Sequence, residues 1–169
     1  LSFSSTITAS IVLIGMLVLI GSAAASLMAM FNGYFSAWTS VSEAERARLD
    51  VGLQLSITNV GNRTLEVTVR NTGSRTVFLT PGWNDAIVAY NTSRGWRPFL
   101  SSFTVVEIRV SGSDYSFQPS THPYINPGEE AVIVIQLPDE APDIPNGSPV
   151  VAVFASHYGV SAVGEAVKP

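Results

Sequence analysis

The first 42 residues carry no Asp, Glu, Lys, Arg or His; the first charged side chain is Glu43. All nine basic and all thirteen acidic residues lie in 43–169. The chain is therefore two objects, an uncharged apolar N-terminal segment and a polar domain. Ile11-Val-Leu-Ile-Gly-Met-Leu-Val-Leu-Ile20 is apolar on every side of a helix, and a helix apolar all round must be buried in lipid or in protein. Leu, Met and Ala favour that helix, and no proline occurs before Pro81. A secretory signal peptide fits poorly, because there is no basic leading region and the segment does not begin with Met. The expectation is a chain already processed at its N-terminus.

Glu43-Ala-Glu-Arg-Ala-Arg-Leu49 extends the helix with strong formers and a Glu43/Arg46 pair at i,i+3, and Asp50-Val-Gly52 ends it. A helix from about Ser4 to Leu49 is roughly 69 Å long. That is more than twice the ~30 Å hydrocarbon core of a bilayer, so a single span does not account for it. The uncharged aromatic stretch 31–42 would project beyond lipid. Phe31, Tyr34, Phe35 and Trp38 suit an interfacial belt, or packing against neighbouring copies. Small residues four apart permit close helix approach: Gly21/Ala25/Ala29, Ser22/Ser26 and Gly33/Ala37. The residues expected to pack in such an assembly are Ile11, Leu13, Gly15, Leu17, Leu19, Gly21, Ala25, Ala29, Phe31, Gly33, Phe35 and Trp38.

From Val51 the period changes to two. Val51, Leu53, Leu55 and Ile57 share one face, and after the turn Asn59–Asn62 so do Leu65, Val67 and Val69. Asn71-Thr-Gly-Ser74 turns, and Arg75–Thr80 follows as a strand. Further strands are expected at Ala86–Asn91, Phe103–Val110, Glu130–Leu137, Val150–His157 and Gly159–Val163. Loops 119–128 and 138–149 hold seven of the ten prolines and are expected as exposed connections. The spacing predicts an α+β chain: a long hydrophobic helix over 1–50, then an immunoglobulin-like antiparallel β-sandwich over 51–169.

Several chemistries are excluded or unsupported. With no cysteine, disulfides, thiolate metal sites and thiol catalysis are absent. Eight scattered arginines and one lysine, in a chain of net charge −4, give no nucleic-acid footprint. His122 and His157 have no motif partner, and read as ordinary loop and strand-end histidines. The acidic pairs Glu129/Glu130 and Asp139/Glu140 with Asp143 lack calcium-loop spacing. No phosphate loop, nucleophile elbow or zincin helix occurs. The expectation is no enzyme, no cofactor and no metal. Asn62-Arg-Thr64, Asn91-Thr-Ser93 and Asn146-Gly-Ser148 are sequons in predicted turns, so Asn62, Asn91 and Asn146 are candidate N-glycosylation sites if the domain is exported.

An uncharged N-terminal helix leading directly into a β-sandwich resembles the type IV pilin superfamily, and within it the archaeal branch of archaellins, adhesion pilins and the F- and G-type archaellum accessory proteins. The matching residues are Leu1–Ile20, Asn32-Gly-Tyr34, the run Asn62–Gly73 with Val69-Arg-Asn-Thr-Gly73, and Asn126-Pro-Gly-Glu-Glu-Ala-Val132. The Asn-Thr-Gly and Pro-Gly-Glu patterns are similar to the F-type accessory domain in particular. Ser5 stands where bacterial members usually carry a glutamate, which fits the archaeal branch. The resemblance implies cleavage by a class III prepilin-type signal peptidase, passage through a membrane assembly platform, and self-association into an extracellular filament. Its alternative is a membrane-anchored F-type accessory protein whose sandwich binds the surface-layer protein.

Overall fold

The structure, a computed structural model, describes residues 3–80 and 82–169, without the side chains of residues 3–5 and 44. The expected processed start at Leu1 and the Ser5 side chain lie outside what is described. The chain divides into two compact units, Leu1–Glu45 and Arg46–Pro169. One helix, α1 (Phe3–Leu49), runs without interruption for 47 residues through the boundary between them. It ends as expected: Asp50 N–H still donates to Arg46 O, and Val51 N–H reaches back only to Arg48 O.

Ten strands follow: β1 Leu53–Val60, β2 Thr64–Asn71, β3 Val77–Phe78, β4 Asp85–Thr92, β5 Gly95–Val110, β6 Ser116–Phe117, β7 Tyr124–Ile125, β8 Glu129–Gln136, β9 Pro149–Ala155 and β10 Ser161–Val167. All their pairings are antiparallel. The main sheet runs β1-β2-β8-β5-β4-β9-β10, with β6 added to β5, and β3 pairs with β7 apart from it. The fold is an antiparallel β-sandwich after a long apolar helix. Its two layers are continuous through β5. Residues 95–101 pair with β4 and residues 102–110 with β8, so the strand passes from one layer to the other at Ser101/Ser102.

Alternation carries the core. Leu65, Val67 and Val69 of β2 are fully buried, and Ile57, Val67, Ile133 and Val105 stand in register across the first layer. In the second layer the inward row is Phe99, Val88, Ala152 and Gly164. The layers meet where Phe103 contacts Phe154 edge-on, ring centroids 5.6 Å apart. At the seam between β1 and β10, a Cβ on Gly164 would fall 2.3 Å from Leu55 Cδ2 and 3.0 Å from Leu55 O.

Local departures from the expected strands have physical reasons. Bulges between Ile57/Asn59 and Val105/Glu107 shift the alternation by one, which makes Val60 and Ile108 the buried residues beyond them. The first bulge also keeps Asn59 and Val60 in the strand instead of the expected turn. β5 begins eight residues earlier than the expected Phe103, despite Pro98. Counting alternate pairs from the hairpin closure Thr92↔Gly95, Ala89↔Pro98 is a pair whose backbone N positions face away from each other. No ladder bond is lost there. Of the expected strand Arg75–Thr80, only Val77–Phe78 pairs.

The proline-rich loops are not merely exposed connections. Ala141 and Ile144 are buried in the core. Arg63 holds the 138–149 loop through hydrogen bonds to Pro138 O and Ala141 O, both at 2.7 Å, and the Tyr90 hydroxyl donates to Pro142 O. Lys168, the one lysine of the chain, is buried and donates to Ile144 O and Asn62 Oδ1, both at 2.6 Å. The other loop meets the Asn71 turn. Asn71 is fully buried; its Nδ2 donates to Arg75 O and Ile125 O, and its Oδ1 accepts from Gly73 N–H. Its own carbonyl accepts from Gly128 N–H. The Asn-Thr-Gly and Pro-Gly-Glu patterns, 53 or more residues apart in sequence, are thus one hydrogen-bonded unit.

Candidate assembly surface

The candidate surface is α1 itself. Within Thr6–Leu49 its most apolar window of 18 residues has a mean hydropathy of 2.4 and no buried residue, and the helix is long and apolar enough to cross a membrane. Ile11, Leu13, Leu17, Leu19, Phe31, Phe35 and Trp38 are 61–75% exposed. Such a window in water forgoes on the order of 1.5–3 kcal/mol for each large apolar side chain. Summed over the helix, that exceeds the ~5–15 kcal/mol net stability of an ordinary domain. Burial by an outside partner or solvent is therefore a physical requirement of this sequence.

The expected packing residues do not share one side. At about 100° per residue, Leu13, Leu17, Phe31, Phe35 and Trp38 fall on one side, with Gly21 at its margin. Ile11, Gly15, Leu19, Ala25, Ala29 and Gly33 fall broadly on the other. The separation is sharpest at 29–40. There Phe31, Tyr34, Phe35 and Trp38 together line a shallow hollow of about 360 Å³. The opposite side carries Ala29, Asn32, Gly33, Ser36, Ala37 and Ser40, all smaller than the rings across from them. A Cβ built on Gly15, Gly21 or Gly33 would touch nothing within 4 Å, so these glycines leave open surface.

The hydroxyls of the helix turn inward onto its own backbone, a feature the sequence reading missed. Ser10 Oγ donates to Thr6 O, Ser22 to Leu19 O, Ser26 to Ser22 O, Thr39 to Phe35 O and Ser40 to Ala37 O, at 2.6–3.0 Å. Such back-bonding lets a polar side chain enter an apolar environment with its donor satisfied. The signal in the sequence is a Ser or Thr three or four residues after any helical carbonyl.

In the sandwich, both histidines and the acidic pair Glu129/Glu130 are held in structural contacts. Glu129 and Glu130 diverge: Glu130 accepts from Arg109 Nε at 2.6 Å, whereas Glu129 accepts from Asn126 N–H and contacts His122 Nε2 at 2.9 Å. Burial pushes the Glu129 carboxyl up, but the hydrogen bonds from His122 and Asn126 and the His122 charge pull it down further, to a net position below the ordinary carboxylate value. His122 is stacked on Phe117 and touches Tyr124, with centroids 4.5 and 3.9 Å away. His157 lies among Phe78, Trp83 and Tyr158. Its Nδ1 is buried without a hydrogen-bond partner among the described residues. Burial first, and then the Arg75 charge, hold its pKa below the ordinary histidine value. Asp143 faces Arg63 at 3.7 Å instead of a second carboxylate. No group of three metal-ligating side chains occurs among the described residues. A cleft of about 540 Å³ beside β5, lined by Asn84, Ser101, Ser102, Thr104 and apolar neighbours, has no titratable side chain in its lining.

Asn62, Asn91 and Asn146 are all exposed and stand at the same end of the sandwich, opposite the start of β1. Asn62 lies in the β1–β2 turn, Asn146 in the 138–149 loop, and Asn91 in β4 opposite Trp96, one residue short of the expected turn.

No family model and no curated protein matches this sequence. Among solved structures it is similar to the archaeal flagellum of Methanospirillum hungatei, with 18% identity, a TM-score of 0.58, and coverage of 96% of this chain and 92% of that one. It is also similar to the archaeal flagellin FlaB1 of Methanocaldococcus jannaschii (18% identity, 70% and 91% coverage, TM-score 0.44). A third likeness is to the archaellum periplasmic stator protein FlaG of Sulfolobus acidocaldarius (15% identity, 68% and 100% coverage, TM-score 0.43). The first likeness takes in helix and sandwich alike, and shows that the chain has the archaellin-like fold.

Proposed function

We propose that this chain is the structural subunit of an extracellular archaeal type IV pilus-like filament, an archaellum or adhesion pilus, that polymerises through α1. The observation that carries the reading is a 47-residue helix with no charge before Glu43 and no burial along its apolar window. Lipid can cover about half of that length. Like helices can cover all of it.

The arrangement at 29–40 suits such a polymer. Bulky rings on one side and small residues on the other make a surface that is complementary to a copy of itself but not identical to it. Contacts of that head-to-tail kind generate open helical assemblies, whereas a self-matching face closes a dimer. In a membrane the helix satisfies its backbone internally, and the back-bonded hydroxyls add no unmet donors. On transfer to a filament, neighbouring helices replace lipid at little hydrophobic cost, and packing decides association. The reading includes processing by a prepilin-type signal peptidase, a membrane assembly platform, and glycans on Asn62, Asn91 and Asn146. It assigns no enzymatic step to the chain.

The test is imaging of the assembly formed by the full-length chain. A helical lattice with this chain as the repeating mass and α1 at the axis is the expected result. Isolation of the full-length chain as a detergent-free soluble monomer overturns the reading. Recovery of isolated copies in the cell envelope, bound to surface-layer protein and never in a lattice, gives the function to the anchored accessory alternative.

A further inference from the structure

The two outer faces of the sandwich differ in kind. On the layer of β1, β2, β8 and the second half of β5, the outward rows read Gln54, Arg70, Glu130, Arg109 and, centrally, Ser56, Thr68, Val132, Glu107, solvent-facing chemistry in which Val132 is the one apolar side chain. On the layer of β4, β9, β10 and the first half of β5, the corresponding central row reads Leu100, Ile87, Val153, Val163. The next row reads Pro98, Ala89, Val151, Glu165. β4 and β9 are therefore apolar on both faces, the pattern of strands covered on both sides. The face is open at its flanking strands, where Leu100 is 66% and Val163 56% exposed, while Ile87, Ala89, Val151 and Val153 between them are half-buried.

We infer that, in the assembled filament, this apolar outer face is covered by the sandwich of a neighbouring copy of the chain. The inference rests on the filament reading and adds a second contact to it, outside the helical core. Two observations choose the occupant. The first is charge: the margins of the face carry Asp85 and Glu165, and its outward positions include no lysine or arginine. An acidic rim is repelled by anionic lipid headgroups, which disfavours a membrane surface. The second is area. Four strands ~4.8 Å apart and about six residues long cover roughly 400 Å². A stable interface buries ~800 Å² on each partner, so two sandwiches do not pair on this face alone. Copies whose helices are already packed side by side present the face at high effective concentration, and a half-sized contact then suffices. The covering surface on the neighbour is a different one, because two apolar faces meeting each other would close a pair and stop growth.

The chain has no cysteine, so single substitutions give an unambiguous reading. Full-length Leu100→Cys and Val163→Cys are labelled with a maleimide reagent, first dispersed in detergent and then as filaments. The expected result is labelling at least ten-fold slower in filaments at both positions. In addition, full-length Leu100→Glu melts like the parent in detergent but forms few or only short filaments. Equal labelling rates in the two states overturn the inference and leave the filament reading intact. Slow labelling already in dispersed or membrane-held chain also overturns it, since something other than a neighbouring sandwich then covers the face. Disulfide-linked pairs of Val163→Cys across a filament overturn the head-to-tail geometry. If the unsubstituted chain forms no filament, the parent reading fails and takes this inference with it.

Discussion

Helix and sandwich solve the burial of apolar residues in opposite ways. The sandwich places twenty-odd apolar side chains between its own layers, where Leu65, Tyr90, Ile133 and Phe154 are wholly enclosed. The apolar window of α1 encloses nothing; its burial is deferred to other molecules. The same residue types therefore do different work. Leucine at 65 holds one chain in shape, and leucine at 19 makes the chain dependent on its surroundings. A substitution on the exposed helix should act on assembly and leave the second unit's stability alone, and a substitution in the enclosed core of the second unit should do the reverse.

The strongest break of that contrast is a charge in the rod. Leu19→Lys or Gly15→Asp is expected to abolish assembly entirely, because the charge is costly in lipid and between packed helices alike. Circular dichroism and thermal melting of the sandwich should stay at the parent values; normal filaments from either variant would count against the reading. Next comes the enclosed core. Phe154→Ala removes the ring that meets Phe103 and is expected to cost about 3–5 kcal/mol in denaturant melts, with the helix content of detergent-held chain unchanged.

A third effect lies where the chain enters β1. A Cβ on Gly73 would sit 2.2 Å from Gly52 N and 2.4 Å from Asp50 O, and those atoms are backbone with little room to give. Gly73→Ala is expected to destabilise the sandwich by about 1–3 kcal/mol. A melt indistinguishable from the parent would show that the turn relaxes freely. The smallest effect is acid-dependent. Glu129 is held below the ordinary carboxylate value, so the folded state favours its charged form. Its contribution is complete above that ordinary range and is lost as pH falls through the lowered value. Glu129→Gln keeps an acceptor for Asn126 N–H and is expected to lose about 0.5–1.5 kcal/mol at neutral pH. It should also flatten the acid limb of the stability profile below about pH 4.5. An unchanged acid limb would assign the acid sensitivity elsewhere.

Much of this molecule can be read in one dimension, and the remainder depends on registers that cannot. The helix was legible because its apolar run, its missing charges and its terminators are local. The faces of β1 and β2 were legible up to the first bulge, where one extra residue inverts the pattern without any marker at Thr58. The early start of β5 was hidden by Pro98, whose conflict with a ladder vanishes only once the partner and the phase are known. The proline-rich 138–149 loop read as a surface connection, since nothing near Ile144 in sequence announces that Arg63, Tyr90 and Lys168 will pin it down.

On the assembly surface, the residue types were visible and their grouping was not. The twelve expected packing positions become two sides only when wound at the helical pitch, and the back-bonded serines appear only with the backbone beneath them. By itself, the sequence determined that a neutral rod longer than a bilayer is thick must be joined to a charged β-domain, because hydrophobicity and charge are properties each residue carries with it. Only the tertiary structure decided that the sheet folds through Ser101/Ser102, and that of its two outer faces one is polar and the other greasy. Which strands lie side by side, and which side of each looks outward, are set by long-range pairing, and no residue holds that information alone.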